Sequence, residues 1–313
     1  MKQFKAKVLL FGEYSIFFNS MALTVPFDEY TGKFSYPNGK PNQSHELLSN
    51  ECLRKFSNFI LEHNMDEKLQ LNLREFQQEL DKGLYFKSNI PQGFGLGSSG
   101  ALVAAIFLRY FDKSTELTEK IRALPKESIR DLKTTLGQLE DHFHGTSSGL
   151  DPLSVLMDEP LLVQPNFDVA PVSIPAFDAN GKHTIFLLNT KISRNTEQLV
   201  NQFKKACQNE EFTDQLNRQL TKGTNAAING FLRRDTKTLY KSLQQIIRFQ
   251  LDDMSFVIPE GFADPIEKGL ENGDYYLKIC GAGGGGFLLG FTDNWEKTQS
   301  MLEDYELQVF RHF

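Results

Sequence analysis

Three stretches of the chain hold residues whose types and spacing could do chemistry. The first is Pro91-Gln92-Gly93-Phe94-Gly95-Leu96-Gly97-Ser98-Ser99, which runs straight into an apolar segment expected to be helical from about residue 100 to 111. Glycines let backbone N–H groups converge on one ligand. A helix N-terminus adds unpaired donors and the positive end of a dipole. Together these suit a polyphosphate, with the hydroxyls of Ser98 and Ser99 available to phosphate or Mg2+. A plain glycine turn with a serine cap is the other reading. The lysine of a Walker loop is missing, and the glycine spacing is not that of a dinucleotide fingerprint.

The second stretch holds Glu140 and Asp151, eleven residues apart around Gly145-Thr146-Ser147-Ser148-Gly149-Leu150. Glu140 falls near the C-terminal end of an expected helix, where a carboxylate opposes the helix dipole unless a cation compensates. Two carboxylates around such a loop suit one metal ligand and one base or charge partner. A solvated glutamate and an aspartate opening a turn before Pro152 is the plainer alternative. His142 and His144 have no second ligand pair at zinc-site spacing.

The third stretch is Gly281-Ala282-Gly283-Gly284-Gly285-Gly286, with five glycines in six positions. A flexible linker would have polar flanks. Here Tyr275–Cys280 and Phe287–Phe291 are apolar and strand-like, so the glycines imply close backbone approach to something, with phosphate or a phosphate loop the natural candidate.

These stretches need elements to position them. Short apolar runs at 8–11, 16–18 and 22–25 read as strands of a meander. Residues 44–64 read as a helix with Leu48, Cys52, Phe56, Phe59 and Ile60 on one face. Leu69-Gln70-Leu71-Asn72-Leu73 alternates with period two, which predicts a strand, and Leu84-Tyr85-Phe86 suggests another. Ile129, Leu132, Leu136, Leu139 and Phe143 are spaced 3, 4, 3 and 4, an amphipathic helix ending at Gly145. A proline-rich segment at 160–182 marks a domain boundary. Beyond it the pattern predicts a strand at 184–188, helices at about 195–209, 211–232 and 235–251, and strands either side of the glycine cluster.

At 313 residues the chain is long enough for about two domains. Apolar residues make up 40% and charged residues 24%, which excludes a disordered chain or a collagen. The net charge is −6, with no block of like charges, so neither nucleic acid nor a membrane surface is an expected partner. The three cysteines, Cys52, Cys207 and Cys280, are scattered, which suits a reducing compartment better than a disulfide framework. The first residues lack the apolar run of a signal peptide, and no stretch approaches a membrane span. A cytoplasmic protein is expected.

The order and chemistry of the three stretches resemble the GHMP kinases (galacto-, homoserine, mevalonate and phosphomevalonate kinases). Lys7-Val8-Leu9-Leu10-Phe11-Gly12-Glu13-Tyr14 is similar to the first motif of that family. Pro91 through Ser99 resembles its phosphate loop, and Lys278 through Phe287 its third, glycine-rich motif. Within the family the likeness is greatest to the mevalonate kinases: His144-Gly145-Thr146-Ser147-Ser148-Gly149-Leu150-Asp151 resembles their helix-to-aspartate loop, and Asn189 through Thr196 a segment with Arg-x-Thr. Tyr14 stands where His is usual, Ser147 where Pro is usual, and Pro152 where Asn is common.

The resemblance implies an α+β protein of two domains with the active site in the interdomain cleft. The N-terminal domain, 1–165, would carry the phosphate loop and catalytic aspartate, and the C-terminal domain, 166–313, the third motif. It implies transfer of the γ-phosphoryl group of ATP to a primary hydroxyl, with mevalonate as acceptor and isoprenoid biosynthesis as context. Another acceptor within the family, such as phosphomevalonate or a sugar, is the alternative, as is a non-catalytic ATP- or metabolite-binding homologue. Pro91, Gly93, Gly95, Leu96, Gly97, Ser98 and Ser99 would bind ATP, and Ser99 and Glu140 would hold Mg2+. Asp151 would take or orient the hydroxyl proton, with Lys7 beside it. Glu13, Tyr14, His144, Gly149, Thr190, Arg194, Gly281, Ala282 and Gly283 would bind the acceptor, Arg194 being suited to a bidentate contact with a carboxylate. The expected partners are ATP and a small-molecule alcohol, with the chain a monomer or homodimer.

Overall fold

The computed structural model describes residues 1–39, 44–111, 121, 124–176, 178 and 181–313. It is a mixed α and β structure whose contacts group the chain into two compact units. One unit comprises 1–7, 26–92 and 96–159. The other comprises 8–25, 93–95 and 160–313.

In the first unit, strand β1 (Phe4–Phe11) contributes its start and strand β2 (Ala22–Ser35) its second half. Strand β3 (Tyr85–Ser88) runs antiparallel to β2, with Gly32 opposite Ser88 and Ser35 opposite Tyr85. Helices Ser44–Glu62, Leu73–Asp81, Ser98–Tyr110, Lys126–His144 and Leu150–Met157 supply most of the core. Helix 126–144 forms as its periodicity predicts: Ile129, Leu132, Leu136 and Leu139 are all buried.

Three expectations need correction. Residues 15–18 form a 3-10 turn, not a strand, because Tyr14 and Asn19 at its two ends take left-handed conformations and Ile16 N–H donates to Gly12 C=O. The alternating leucines at 69–73 are not a strand: helix Met65–Leu69 ends there, and the Asn72 side chain caps helix Leu73–Asp81 by accepting from Glu75 N–H at 3.1 Å. Cap chemistry outweighs a two-residue periodicity over so short a run. In helix 44–62 the buried face is Leu53, Phe56, Ser57 and Ile60, whereas Leu48 is 65% exposed.

The second unit pairs the start of β2 with β4 (Leu161–Val163), and β4 with β5 (Val169–Pro171), all antiparallel. A separate four-stranded sheet is built from β6 (Thr184–Asn189), β7 (Tyr276–Ile279), β8 (Phe287–Thr292) and β9 (Glu306–His312), in the order β7-β8-β6-β9. Every neighbouring pair in it is antiparallel. Strands β7 and β8 are buried along their whole length, which is why they read as largely apolar runs, Lys278 in β7 being the charged exception. Helices Lys222–Leu232 and Thr236–Asp252 pack on each other, the first entered through a π-helical turn at Asn217–Thr221. Several phenylalanines are core here, among them Phe186, Phe203, Phe231, Phe249, Phe287 and Phe291.

Candidate active site

In the first unit the fold brings together four of the residues expected to act. Lys7 lies in β1, and its backbone N–H donates to the Leu96 carbonyl at 3.0 Å, which ties that strand to the end of the glycine loop. The Lys7 side chain is buried, and its Nζ sits 2.8 Å from Asp151 Oδ1. Asp151 is not in the loop as expected but in the first turn of helix 150–157, where the dipole favours a carboxylate. Its side chain is 37% exposed, so one flank of the pair remains open to a ligand.

Beside that pair is a second cluster. Ser99 Oγ donates to Glu140 Oε1 at 2.9 Å, and Ser147 Oγ donates to Oε2 at 2.5 Å. Glu140 is 3% exposed. Burial pushes its pKa up to about 7, the nearby Asp151 charge adds to the rise, and the two serine hydroxyls and Lys7 pull it back. The carboxylate is therefore short of positive charge. Among the described residues no group of three or more His, Cys, Asp or Glu could enclose a metal ion. Mg2+ does not need one, because it is commonly held by one or two carboxylates, with water and substrate phosphates supplying the rest. Glu140 with Ser99 provides hard oxygen donors of that kind, and the donor set fits.

Ser147 is the residue the sequence reading missed. It stands where a proline is usual in the motif, and its hydroxyl also accepts from Gly149 N–H at 3.0 Å. A serine two positions before a helix cap is a recognisable turn signal, though not one that names a glutamate seven residues back as its partner. Gly149 itself is required by shape: at φ 71°, a Cβ there would lie 1.9 Å from the Lys133 carbonyl oxygen. His144 ends helix 126–144, and its side chain lies outside the described residues. His142 packs on the rings of Phe56 and Phe59.

The glycine loop has the backbone that its composition predicts. Gly93, Gly95 and Gly97 all have φ near 80°, and Gly97 caps helix 98–110 without help from a side chain. Pro91, Leu96, Gly97, Ser98 and Ser99 belong to the first unit, while Gly93 and Gly95 group with the second.

In the second unit, the Glu13 carboxylate is buried and forms an ion pair with Lys278 Nζ, whose side chain is wholly buried. Burial raises the Glu13 pKa, with Lys278 pulling it back down. Tyr14 adopts φ 58°, packs at a tilt on Phe203 with ring centroids 4.5 Å apart, and donates its hydroxyl to the Ala282 carbonyl at 2.7 Å. Burial holds that phenol well above its ordinary pKa. Thr190 Oγ1 donates to the Gly286 carbonyl at 2.7 Å. Arg194 Nη1 donates to the Cys280 carbonyl at 2.7 Å. The 281–286 turn is close-packed against backbone: Cβ atoms on Gly283 and Gly285 would meet the carbonyl oxygens of Val257 and Ile192 at 2.4 and 2.5 Å, and one on Gly286 would meet the Phe94 backbone at 2.8 Å. The expected approach of this motif to the glycine loop is thus seen at Phe94.

Residues 63–158 match the family described as GHMP kinases N terminal domain. No curated protein matches the sequence. Solved structures share the fold across almost the entire chain. L. major mevalonate kinase in complex with R-mevalonate superposes with a TM-score of 0.62 at 16% identity, covering 99% of this chain and 95% of that one. Streptococcus pneumoniae phosphomevalonate kinase in complex with phosphomevalonate and AMPPNP gives 0.61 at 14% identity, covering 98% and 99%. Lactococcus lactis galactokinase complexed with galactose gives 0.61 at 14% identity, covering 99% and 93%.

Proposed function

We propose that this chain, which carries the GHMP kinase N-terminal domain over residues 63–158 and has the GHMP kinase fold, is an ATP-dependent kinase of a small-molecule primary alcohol. The acceptor proposed is mevalonate, giving 5-phosphomevalonate. The observation that carries the reading is Lys7 Nζ at 2.8 Å from Asp151 Oδ1, beside Glu140 with a serine hydroxyl on each of its oxygens.

Phosphoryl transfer needs positioning and charge neutralisation more than covalent chemistry by the protein. Backbone N–H groups of residues 93–99 would cradle the phosphates at the start of helix 98–110. Ser99 and Glu140 would hold Mg2+, which when bound neutralises charge on phosphate oxygens. Asp151 would accept the acceptor's hydroxyl proton. Lys7 would orient the Asp151 carboxylate and stabilise the oxygen as it gains negative charge.

Phosphomevalonate or a sugar is the alternative acceptor, since the fold is shared about equally with kinases of those compounds. The test is ADP release with Mg-ATP and mevalonate, run beside phosphomevalonate, galactose and homoserine, with Asp151→Asn as control. Mevalonate-dependent release that the variant abolishes supports the reading. Release with another acceptor alone removes mevalonate. ATP binding with no release from any of the four removes these acceptors and leaves an acceptor outside the panel or a binding role.

A further inference from the structure

Two backbone carbonyls of the turn that follows β7 are each held by a different side chain, and a buried carboxylate lies against the residue between them. Arg194 Nη1 donates to the Cys280 carbonyl at 2.7 Å. The Gly281 backbone lies against the Glu13 carboxylate and favours its charged form. Tyr14 donates to the Ala282 carbonyl at 2.7 Å. Two of these three side chains are neighbours in sequence, and both are buried: Glu13 is 6% and Tyr14 5% exposed. Lys278, at the start of the same motif, neutralises Glu13 and donates a second bond to the Ile279 carbonyl at 2.9 Å.

The strapped turn in turn supports the glycine loop. The Arg194 guanidinium lies against both Gly95 and Gly281: a Cβ on either would come within 2.7 or 2.9 Å of Nη2. Four residues past the strapped peptides, Gly286 packs on the Phe94 backbone, and its N–H is fixed by the Ile192 carbonyl at 2.8 Å. Segment 93–95 therefore rests on Arg194 and on Gly286. Tyr14 also keeps an unfavourable left-handed backbone, a conformation that persists only where the surroundings over-determine it.

We propose that Glu13 and Tyr14 are positioning residues that hold the Cys280–Ala282 turn, and through it the Gly93–Gly95 segment, and that neither touches the phosphoryl acceptor. This rests on reading 91–99 as the loop that binds nucleotide phosphates. It replaces the expectation that both residues bind the acceptor, because the Glu13 carboxylate is paired with Lys278 and the Tyr14 hydroxyl with the Ala282 carbonyl. It also accounts for a tyrosine at position 14, whose hydroxyl reaches a backbone carbonyl from within an aromatic cluster.

The experiment measures AMPPNP affinity by calorimetry on the full chain, together with the KM values for ATP and acceptor. The variants are Tyr14→Phe, Glu13→Gln and the double variant Glu13→Leu/Lys278→Met, which removes both buried charges so that no lone ion is left if Glu13→Gln fails to fold. Losing one hydrogen bond on the turn should weaken AMPPNP by roughly 3- to 10-fold in Tyr14→Phe, with the acceptor KM changed less than twofold. The folded Glu13 variants should lose at least as much. A raised acceptor KM with unchanged AMPPNP affinity would overturn the proposal. So would unchanged binding and kinetics in a folded variant that merely melts earlier. If the wild-type chain fails to bind AMPPNP, the phosphate-loop reading falls first and takes this inference with it.

Discussion

Lys7 and Asp151 are separated by 144 positions in the chain and by 2.8 Å in space. The lysine is delivered by the first strand and the aspartate by the first turn of helix 150–157, which the helix 98–110 lies against. The lysine is buried and the aspartate partly open, so the ammonium is held in place while the carboxylate faces outward. Asp151→Asn keeps the shape and removes the charge. It should lower turnover by at least about 100-fold while AMPPNP affinity stays within a few-fold, as measured by steady-state kinetics and calorimetry. Turnover near the wild-type level would remove Asp151 from its role.

Glu140 supplies a pH prediction whose sign is fixed. Its pKa is raised in the folded chain to about 7, so the folded state binds a proton more tightly than the unfolded one does. The protonated form stabilises the metal-free protein below the unfolded pKa, and that contribution is lost as pH rises through about 7. Urea unfolding of wild-type and Glu140→Gln protein without metal, between about pH 5 and 8, should show the difference changing in that direction. A difference that is flat with pH would contradict it.

Removing Glu140 should also change how the protein responds to metal. Glu140→Gln should raise the Mg2+ concentration needed for half-maximal rate by about tenfold or more. A magnesium titration that overlays the wild-type curve would count against Glu140 as a ligand.

Ser147→Ala deletes one of two hydroxyls on that carboxylate and the acceptor for Gly149 N–H. A hydrogen bond to a charged group is worth about 1.5–3 kcal/mol. The variant should lose stability of that order in denaturant unfolding and require more Mg2+, whereas Ser147→Thr should recover part of both. Equal loss in the two variants would point to shape rather than the hydroxyl.

Gly149→Ala places a methyl group against the Lys133 carbonyl oxygen in a left-handed backbone position. A loss of at least about 2 kcal/mol is expected in equilibrium unfolding. A variant as stable as wild type would mean that the cap moves freely.

Glycines, serines and carboxylates in the right order were legible in the amino-acid sequence, and with them the three candidate stretches and the mixed α and β class. Helix 126–144 and strands β6, β7 and β8 were legible too, because burial on one stripe or along a whole strand writes itself into the pattern of apolar residues. The strands expected at 16–18 and 69–73 were not there, because left-handed turns and an asparagine cap act over two or three residues, below the reach of periodicity. What only the tertiary structure decided is which side chain meets which. Glu13 is buried against Lys278, 265 positions away. Ser147 was noted only as a departure from a motif and holds Glu140. A charged or hydroxyl side chain carries no local mark of its partner, since the partner is chosen by chain topology and by the cost of leaving a buried polar group unpaired.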